Sequence, residues 1–336
     1  MYQLEENRIL DEIRRRRSKR VLLQMPEGLK PVGFQLAKLL EEKGEVEVVL
    51  SGDPCYGACD LALEPKAHIG ADLLVHLGHA EIPGEFPEEH VLFVEARSDA
   101  PIDDVMEEAA KMLEKEHTIG LASNVQHIHQ LDHAKEILER KGKAVLVGRA
   151  SGWLRYSGQA LGCDYGSVRA IAGKVDAIVI LSGGDFHALG IPLATGKRTI
   201  VVDPFQQTAR DMTETCRKLL RKRWISIERF KETKRVGIII GLKSSQMNIA
   251  LARRLRQLLE KDGKSAALIC ATEVIPETLE SFTDLDGYVE VSCPRISTDD
   301  QERYRKPILN PEEVMIALGK KSWEEYTQGM TLEEWH

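Results

Sequence analysis

Asp176-Ala-Ile-Val-Ile-Leu181 is an aspartate followed by five apolar residues, and related segments occur as Asp72-Leu-Leu-Val-His-Leu77 and Asp286-Gly-Tyr-Val-Glu-Val291. The three aspartates are separated by 104 and 110 residues along the chain. Short apolar runs bounded by turn residues are typical of buried β-strands, and we refer to these three as the aspartate strands. Recurrence at a nearly constant spacing predicts that one structural unit occurs three times.

Each aspartate strand has the same neighbours in the sequence. Each unit begins with an apolar opening strand, which is followed by a helix, a second strand and then the aspartate strand. A fourth strand and a charged, helix-like segment come after the aspartate strand. The predicted opening strands are Arg20–Met25, His117–Ala122 and Arg235–Ile240. The predicted second strands are Val46–Leu50, Ala144–Val147 and Ala266–Ile269, and the fourth strands are His90–Val94, Thr199–Val202 and Pro307–Leu309. The helix-like segments begin near Asp103, Gln207 and Glu312.

Strands that alternate with helices predict parallel sheets with right-handed crossovers. We therefore expect an α/β protein of three homologous small domains, each a parallel sheet with flanking helices, arranged about a pseudo-threefold axis. The expected boundaries are residues 1–116, 117–232 and 233–336.

Composition narrows the class of protein. The chain has 336 residues, of which 43% are hydrophobic and 29% charged, as in soluble globular proteins. A net charge of −7 argues against nucleic-acid binding by phosphate neutralisation. No apolar run approaches the roughly 20 residues of a membrane span, and the acidic N-terminal segment is unlike a secretory signal. We expect a cytoplasmic protein.

Six cysteines are dispersed over the chain, which is unlike the disulfide framework of a small secreted protein. Cys59, Cys163 and Cys293 lie in loops that follow predicted strands, one in each unit. Functional groups of parallel α/β sheets gather in such loops. Three thiolates from three domains would suit a 4Fe–4S cluster with one open iron or a zinc site with one open position.

The alternative is that isolated cysteines are small buried hydrophobic residues. We favour this interpretation for Cys216, in a predicted helix, and Cys270, at the end of an apolar strand. Cys55 stands four residues before Cys59, but no third cysteine follows two residues later, so a local three-cysteine motif is excluded. The role of Cys55 is left open.

Four segments carry a resemblance to a known family: Tyr56-Gly-Ala-Cys59, Gly158-Gln-Ala-Leu-Gly-Cys163, Gly183-Gly-Asp-Phe-His-Ala-Leu-Gly190 and Ser292-Cys-Pro-Arg-Ile-Ser297. They span all three units in order. On these segments the chain resembles the archaeal diphthamide-synthesis enzymes, an atypical radical S-adenosylmethionine (SAM) family. In that family each of three related domains gives one cysteine to a 4Fe–4S cluster, which implies that Cys59, Cys163 and Cys293 are the metal ligands here.

The resemblance also implies a reaction. SAM would bind at the open iron, and an electron from a donor protein would break its Cγ–S bond. Methylthioadenosine would leave, and the 3-amino-3-carboxypropyl radical would attack the imidazole C2 carbon of a histidine in translation elongation factor 2. This is the first step of diphthamide biosynthesis, and the family implies a homodimer. Two alternatives are a 4Fe–4S dehydratase or condensing enzyme similar to quinolinate synthase, and a non-catalytic α/β binding protein.

Histidines and one glutamine supply further candidates. His79 and His187 each follow an aspartate strand, and Gln246 follows the opening strand of the third unit, so we expect these three side chains to contact SAM or the substrate. The histidine pairs His76/His79, His127/His129 and His129/His133 suggest a zinc site, but no His-Glu-x-x-His motif accompanies them. The segment with His127, His129 and His133 has its apolar stripe made by other residues, which favours a solvent-exposed histidine face.

Overall fold

The computed structural model describes residues 2–84 and 91–327, which divide into two compact units. The first unit contains residues 1–187 and 199–210, and the second contains residues 188–198 and 211–336. Among the described residues, no helix is both long and apolar enough to cross a membrane.

The first sheet lies in the first unit and has four parallel strands. Its strands and the elements around it are, in chain order, β1 (Tyr2–Gln3), α1 (Glu6–Arg16), β2 (Arg20–Gln24), α2 (Lys30–Gly44), β3 (Glu47–Leu50), α3 (Leu63–His68), β4 (Leu73–Leu77), β5 (Val91–Val94) and β6 (Arg97–Ser98). The sheet order is β3-β2-β4-β5, and β1 pairs separately with β6 in an antiparallel ribbon. The predicted fourth strand begins at His90, which lies outside the described residues.

The second sheet follows in the order β8-β7-β9-β10-β11. The elements of this part of the chain are α4 (Asp103–Met112), β7 (Thr118–Ser123), α5 (Leu131–Arg140), β8 (Ala144–Leu146), α6 (Gly166–Arg169), β9 (Ala177–Leu181), α7 (Gly190–Thr195), β10 (Arg198–Asp203), β11 (Thr208–Asp211) and α8 (Thr213–Lys231). Among the residues that the structure describes, β11 has no counterpart in the first sheet.

The third sheet lies in the second unit in the order β13-β12-β14-β15, with all pairs parallel. Its elements are β12 (Arg235–Gly241), α9 (Ile249–Lys261), β13 (Ser265–Ala271), α10 (Pro276–Glu280), β14 (Gly287–Glu290), α11 (Pro294–Thr298), β15 (Ile308–Leu309), α12 (Pro311–Ala317) and α13 (Trp323–Tyr326). Short 3₁₀ segments occur at Glu27–Leu29, Val125–Gln130, Ala172–Lys174 and Gln301–Arg303.

The three sheets share one strand order, which confirms the α/β repeat. In each sheet the opening strand lies between the second strand and the aspartate strand, and the fourth strand lies beyond the aspartate strand. The chain thus places the second strand on one side of the opening strand, and then the aspartate and fourth strands on its other side. A reversal of this kind leaves a crevice at the carboxyl ends of the opening and aspartate strands. The pseudo-threefold arrangement of the repeats stays a prediction.

The helix before each opening strand packs on the sheet of that strand. Apolar residues of α1 lie in one core with β2 and β4, those of α4 with β7 and β9, and those of α8 with β12 and β14. The sequence pattern places α4 and α8 at the ends of the first and second units. In the structure, however, the apolar face of α4 covers the second sheet and that of α8 covers the third sheet. The boundaries at residues 116 and 232 stay a prediction.

The prediction of a helix beginning near Gln207 is wrong. Gln207 has a positive φ of 52°, and its side-chain amide donates to the carbonyl oxygens of Pro101 at 2.8 Å and Pro204 at 2.6 Å. These contacts fix a turn that leads into β11, and the helix α8 begins only at Thr213. The long-range partner of this turn is not visible in the local sequence pattern.

Candidate functional site

The loop that carries Cys59 connects β3 to α3 at the carboxyl edge of the first sheet. Gln24, the last residue of β2, is buried and fixes this loop from below. Its Nε2 donates to the carbonyl oxygen of Asp60 at 2.7 Å, and its Oε1 accepts the N–H of Ala62 at 3.1 Å. The backbone on the carboxyl side of Cys59 is thus attached to a strand, while Cys59 itself is partly exposed.

Two histidines continue this hydrogen-bond network. His76 on β4 stands opposite Gln24 in the parallel ladder, and its Nδ1 lies 2.9 Å from Gln24 Oε1. Because that oxygen only accepts, Nδ1 of His76 carries the proton and Nε2 holds a lone pair. His76 Nε2 lies 3.0 Å from His79 Nδ1, so His79 is the donor in that contact. Burial lowers the pKa of His76 far below its ordinary value and that of His79 to about 4.

The structure brings Cys55 into this network. One donor atom from each of Cys55, His76 and His79 lies within 4.8 Å of the other two. Cys55 and His76 are buried and His79 is partly buried. The sequence prediction included His79 and the histidine pair His76/His79, but it missed Gln24 and left the role of Cys55 open. The only local signal was the spacing of the two histidines at the end of a strand.

Cys163 lies on an ordered loop between β8 and α6. The Asp164 carboxylate holds this loop: Oδ2 accepts the N–H of Trp153 at 2.9 Å, and Oδ1 accepts that of Gly166 at 2.8 Å. Earlier in the loop, Gln159 forms a parallel bridge to Ser123, the last residue of β7. Cys163 is exposed and follows Gln159 by four residues along the loop.

His187 follows β9, in the glycine-rich turn of the second sheet. Its Nδ1 lies 3.2 Å from Ser182 Oγ, and its ring packs edge-on against Phe186. The turn is tied to the end of β10 because Asp203 Oδ2 accepts the N–H of Gly184 at 2.8 Å. His187 is therefore at the carboxyl edge of the second sheet, as the sequence predicts for that residue.

Cys293 lies in the second unit, directly before α11 and after β14, and is partly exposed. Glu290 at the end of β14 is buried, and its Oε2 accepts the N–H of Ser292 at 3.1 Å. Burial raises the pKa of Glu290 to about 8, although hydrogen bonds from Ser292 and Cys293 act in the opposite direction. Glu290 is a second residue beneath a cysteine loop that the sequence analysis missed.

Gln246 lies near the Cys293 loop. A Cβ built on Gly241 would meet Ser292 Cβ at 2.5 Å and Gln246 Cβ at 3.5 Å. Glycine at position 241 therefore lets the two loops approach each other over the end of β12. Within the second unit, the structure thus brings the predicted Gln246 loop and the predicted Cys293 loop together.

The other cysteines and histidines differ in how deeply they are buried. Cys216 is buried in α8, where burial raises its pKa to about 12, which confirms the core interpretation. The same interpretation is wrong for Cys270, which is exposed because β13 is an edge strand. His127 is buried and lies 3.0 Å from Gln130 Oε1, so the expected solvent-exposed histidine face does not include it. That residue sits in a 3₁₀ segment rather than the α-helix, which turns it inward.

All six cysteines are free of disulfides. Cys59, Cys163 and Cys293 lie on loops and are at least partly exposed, as accessible thiolate ligands require. This donor set fits an iron–sulfur cluster, since such clusters are held by cysteine thiolates. Cys59 and Cys163 belong to the first unit and Cys293 to the second, and their convergence on one cluster stays a prediction.

Comparisons with known proteins agree with one another. The model of the diphthamide synthesis protein family matches residues 25–327. The 2-(3-amino-3-carboxypropyl)histidine synthase of Pyrococcus horikoshii is 38% identical over 97% of this chain and 93% of its own length. Subunit 1 of the Schizosaccharomyces pombe synthase is 27% identical over 96% of this chain and 75% of its own length.

A solved structure extends the comparison to the fold. The crystal structure of Dph2 from Pyrococcus horikoshii with a 4Fe–4S cluster has a TM-score of 0.87 and 36% identity to this chain. The alignment covers 96% of this chain and 93% of that one. A family match and a fold match over almost the full length leave one conclusion, that the chain belongs to the diphthamide synthesis family.

Proposed function

We propose that the chain catalyses the first step of diphthamide synthesis. In this step the 3-amino-3-carboxypropyl group of SAM is transferred to the imidazole C2 carbon of a histidine in translation elongation factor 2, and methylthioadenosine is released. The observation that carries the proposal is the near full-length likeness to a Dph2 structure that holds a 4Fe–4S cluster. The chain is an enzyme, a transferase, as its relatives named as synthases indicate.

Cys59, Cys163 and Cys293 are our proposed ligands of a 4Fe–4S cluster. When bound, the cluster supplies one electron to the sulfonium of SAM and an iron with an open coordination position. The protein's contribution is to hold the three thiols in place. Gln24 does so beneath the Cys59 loop, Asp164 within the Cys163 loop, and Glu290 beneath the Cys293 loop.

Gln246 and His187 are proposed contacts of SAM. Gln246 shares the end of β12 with the Cys293 loop, and its amide can both donate to and accept from the amino acid part of SAM. His187 lies at the corresponding edge of the second sheet, on an ordered turn. His79 is the third predicted contact, and its ring packs against that of His76 at the carboxyl edge of the first sheet.

The proposal extends to the partners. Elongation factor 2 would be the protein substrate, a low-potential electron donor would supply the reducing equivalent, and the active form would be a cytoplasmic homodimer. The quinolinate-synthase-like and non-catalytic alternatives lose their support, because the family model covers 303 residues of diphthamide-type sequence between 25 and 327.

The test is a single-turnover assay. Anaerobically reconstituted and reduced protein is mixed with SAM and elongation factor 2, and the products are analysed by mass spectrometry. We expect methylthioadenosine and a histidine enlarged by one 3-amino-3-carboxypropyl group in equal amounts. An elongation factor whose target histidine is replaced should remain unmodified. If a preparation with an intact cluster gives neither product, the proposed function is wrong.

A further inference from the structure

Cys55, His76 and His79 form a compact donor set that the proposed reaction does not use. They come from three segments at the carboxyl edge of the first sheet: the loop after β3, the strand β4 and the turn after β4. Gly78, with φ of 89°, makes that turn, and it brings His79 back over His76 with ring centroids 5.1 Å apart. A Cβ at Gly78 would lie 2.9 Å from Pro26 Cγ, so the position requires glycine.

The distances suit a metal ion. The three donor atoms lie within 4.8 Å of one another, and the two facing imidazole nitrogens are 3.0 Å apart. Ligands of a tetrahedral zinc ion, bound at about 2.0–2.3 Å, lie roughly 3.3–3.8 Å from one another. Small side-chain movements therefore convert the histidine–histidine hydrogen bond into two metal bonds.

The support behind His76 is also typical of a metal site. A metal-binding histidine almost always donates its other ring N–H to an oxygen, which fixes the tautomer and the ring orientation. His76 donates Nδ1–H to Gln24 Oε1 at 2.9 Å, and this leaves Nε2 directed at His79. Gln24 is itself held by the backbone of Asp60, so its oxygen cannot rotate away without loss of that bond.

The repeat gives independent support. His79 lies seven residues after Asp72, and Cys293, a proposed cluster ligand, lies seven residues after Asp286. The same position of the fold, just past the aspartate strand, thus carries a metal-binding residue type in two of the three repeats.

We propose that Cys55, His76 and His79 bind a zinc ion at a second metal site, distinct from the cluster ligands Cys59, Cys163 and Cys293. One thiolate and two imidazoles are a donor set that zinc favours. His76 binds through Nε2 and His79 through Nδ1, with the proton of His79 moving to its Nε2. The Cys55 thiol loses its proton to solvent, so one proton is released for each zinc bound.

The zinc ion would attach the Cys59 loop to β4. Cys55 stands four residues before Cys59, and the backbone after Cys59 is already held by Gln24. With zinc bound, both ends of the segment 55–62 are anchored on the first sheet. This role replaces the contact with SAM that the sequence suggested for His79.

The test uses cluster-loaded protein, so that the proposed cluster cysteines are already occupied. Zinc alone is added anaerobically, excess is removed by desalting, and metal content and zinc K-edge absorption are measured. We expect one zinc per chain with one sulfur and two nitrogen neighbours. Cys55→Ser and His76→Gln should each lower the zinc affinity at least 100-fold, and Gln24→Leu should lower it about 10–100-fold through its effect on His76.

Cys216→Ala is the matched control, since it removes a buried thiol from the second unit and should leave zinc binding unchanged. His79→Asn, at the partly exposed position, keeps the test available should the His76 variant fail to fold. Absence of zinc binding, zinc with two or more sulfur neighbours, or full retention of zinc in Cys55→Ser would each overturn the proposal. Zinc content and zinc absorption are measured without methylthioadenosine formation. A failure of the zinc proposal can therefore be distinguished from a failure of the proposed function.

Discussion

The carboxylate of Asp176 accepts a 2.8 Å hydrogen bond through Oδ2 from the backbone N–H of Thr118, the first residue of β7. In return, the carbonyl oxygen of Thr118 accepts the N–H of Asp176 at 2.8 Å. Asp176 and Thr118 thus form a reciprocal pair of hydrogen bonds, which fixes the register between β9 and β7 at the start of their ladder. The same Oδ2 also accepts the N–H of His117 at 2.8 Å.

The first and third repeats contain the same contact. Asp72 Oδ2 accepts from Lys19 at 2.6 Å and Arg20 at 3.0 Å, and Asp286 Oδ2 accepts from Lys234 at 3.1 Å and Arg235 at 2.8 Å. The recurring aspartate therefore has a structural purpose, which is to satisfy two backbone N–H groups at the start of each opening strand. This explains why the repeat is recognisable by an aspartate rather than by its apolar residues alone.

Replacing Asp176 with alanine should destabilise the first unit. The variant leaves the N–H groups of His117 and Thr118 without their carboxylate partner, at an expected loss of about 1–2 kcal/mol in the free energy of unfolding. Urea denaturation followed by circular dichroism measures it. Glu136→Ala, on the exposed face of α5, is the control and should shift the midpoint little. Equal midpoints for the two variants would contradict this account.

Acid should weaken the aspartate contacts of the first and third repeats. Hydrogen bonds from Arg20 and Lys19 lower the pKa of Asp72, and those from Arg235 and Lys234 lower that of Asp286. A pKa lower in the folded state means that the unfolded chain binds more protons in acid. The stabilisation is complete above the unfolded value, about 4, and is lost as the pH falls through the folded value.

The measurement is the urea midpoint of the wild type and of Asp72→Asn and Asp286→Asn between pH 7 and pH 3. The variants should show a shallower loss of stability in acid, and the difference should be small because Asp72 is exposed and Asp286 is partly exposed to solvent. Asp262→Asn, an exposed position after α9, should keep the wild-type slope. A steeper acid dependence in Asp72→Asn would refute the assignment.

Arg223 and Glu313 form a fully buried ion pair in the second unit. Arg223 Nε donates to Glu313 Oε1 at 2.7 Å and Nη2 to Oε2 at 2.5 Å, while Nη1 donates to the carbonyl oxygen of Ser297 at 2.6 Å. Arg223→Met leaves a buried carboxylate without its partner, and we expect a loss of about 3–5 kcal/mol in unfolding free energy. The double variant Arg223→Met/Glu313→Leu should recover part of that loss.

Thermal denaturation of the four proteins of this double-variant cycle measures the coupling. Lys218→Met, an exposed cation on the same helix, is the control and should change the midpoint by little. A double variant less stable than Arg223→Met would show that Glu313 stabilises the fold mainly through its other hydrogen bonds, which it accepts from the N–H of Asn310 and the hydroxyl of Tyr326.

Single cysteine substitutions should separate the proposed cluster ligands from the other thiols. Cys59→Ala, Cys163→Ala and Cys293→Ala should each lose or degrade the iron–sulfur absorption of the reconstituted protein, because each removes a ligand. Cys270→Ala, which removes an exposed thiol from an edge strand, should keep it. Iron and sulfide content per chain are measured in parallel. Equal cluster content in all four variants would exclude a cluster held by these three residues.

Gln24→Met should loosen the loop that carries Cys59. The substitution leaves the carbonyl oxygen of Asp60, the N–H of Ala62 and Nδ1–H of His76 without a buried partner, which costs about 1–3 kcal/mol for an unsatisfied group. Hydrogen exchange followed by mass spectrometry should show faster exchange in peptides covering residues 56–62. Asp53→Asn, an exposed change in the same loop, should not have this effect. Unchanged exchange in Gln24→Met would show that another contact holds the loop.

The sequence by itself determined the architecture and the family. Buried strands of a parallel sheet are short apolar runs that can be read locally, and their order repeated three times with the same aspartate. The observed strands begin and end within one or two residues of most predictions, as at β9, where Ala177–Leu181 was expected and found. Four motifs then identified the family, because ligand loops require particular residues rather than a general pattern.

Only the tertiary structure decided how distant residues meet. Gln24 and His76 are 52 residues apart and become neighbours through strand pairing, and Cys55 joins them through a loop with no periodic signal. The sheet that α4 covers was likewise decided by packing, since an amphipathic helix carries no label for its partner. The burial of His127 and the exposure of Cys270 depend on backbone direction and strand position. Local sequence specifies which elements form; the contacts between them follow from the connections of the whole chain.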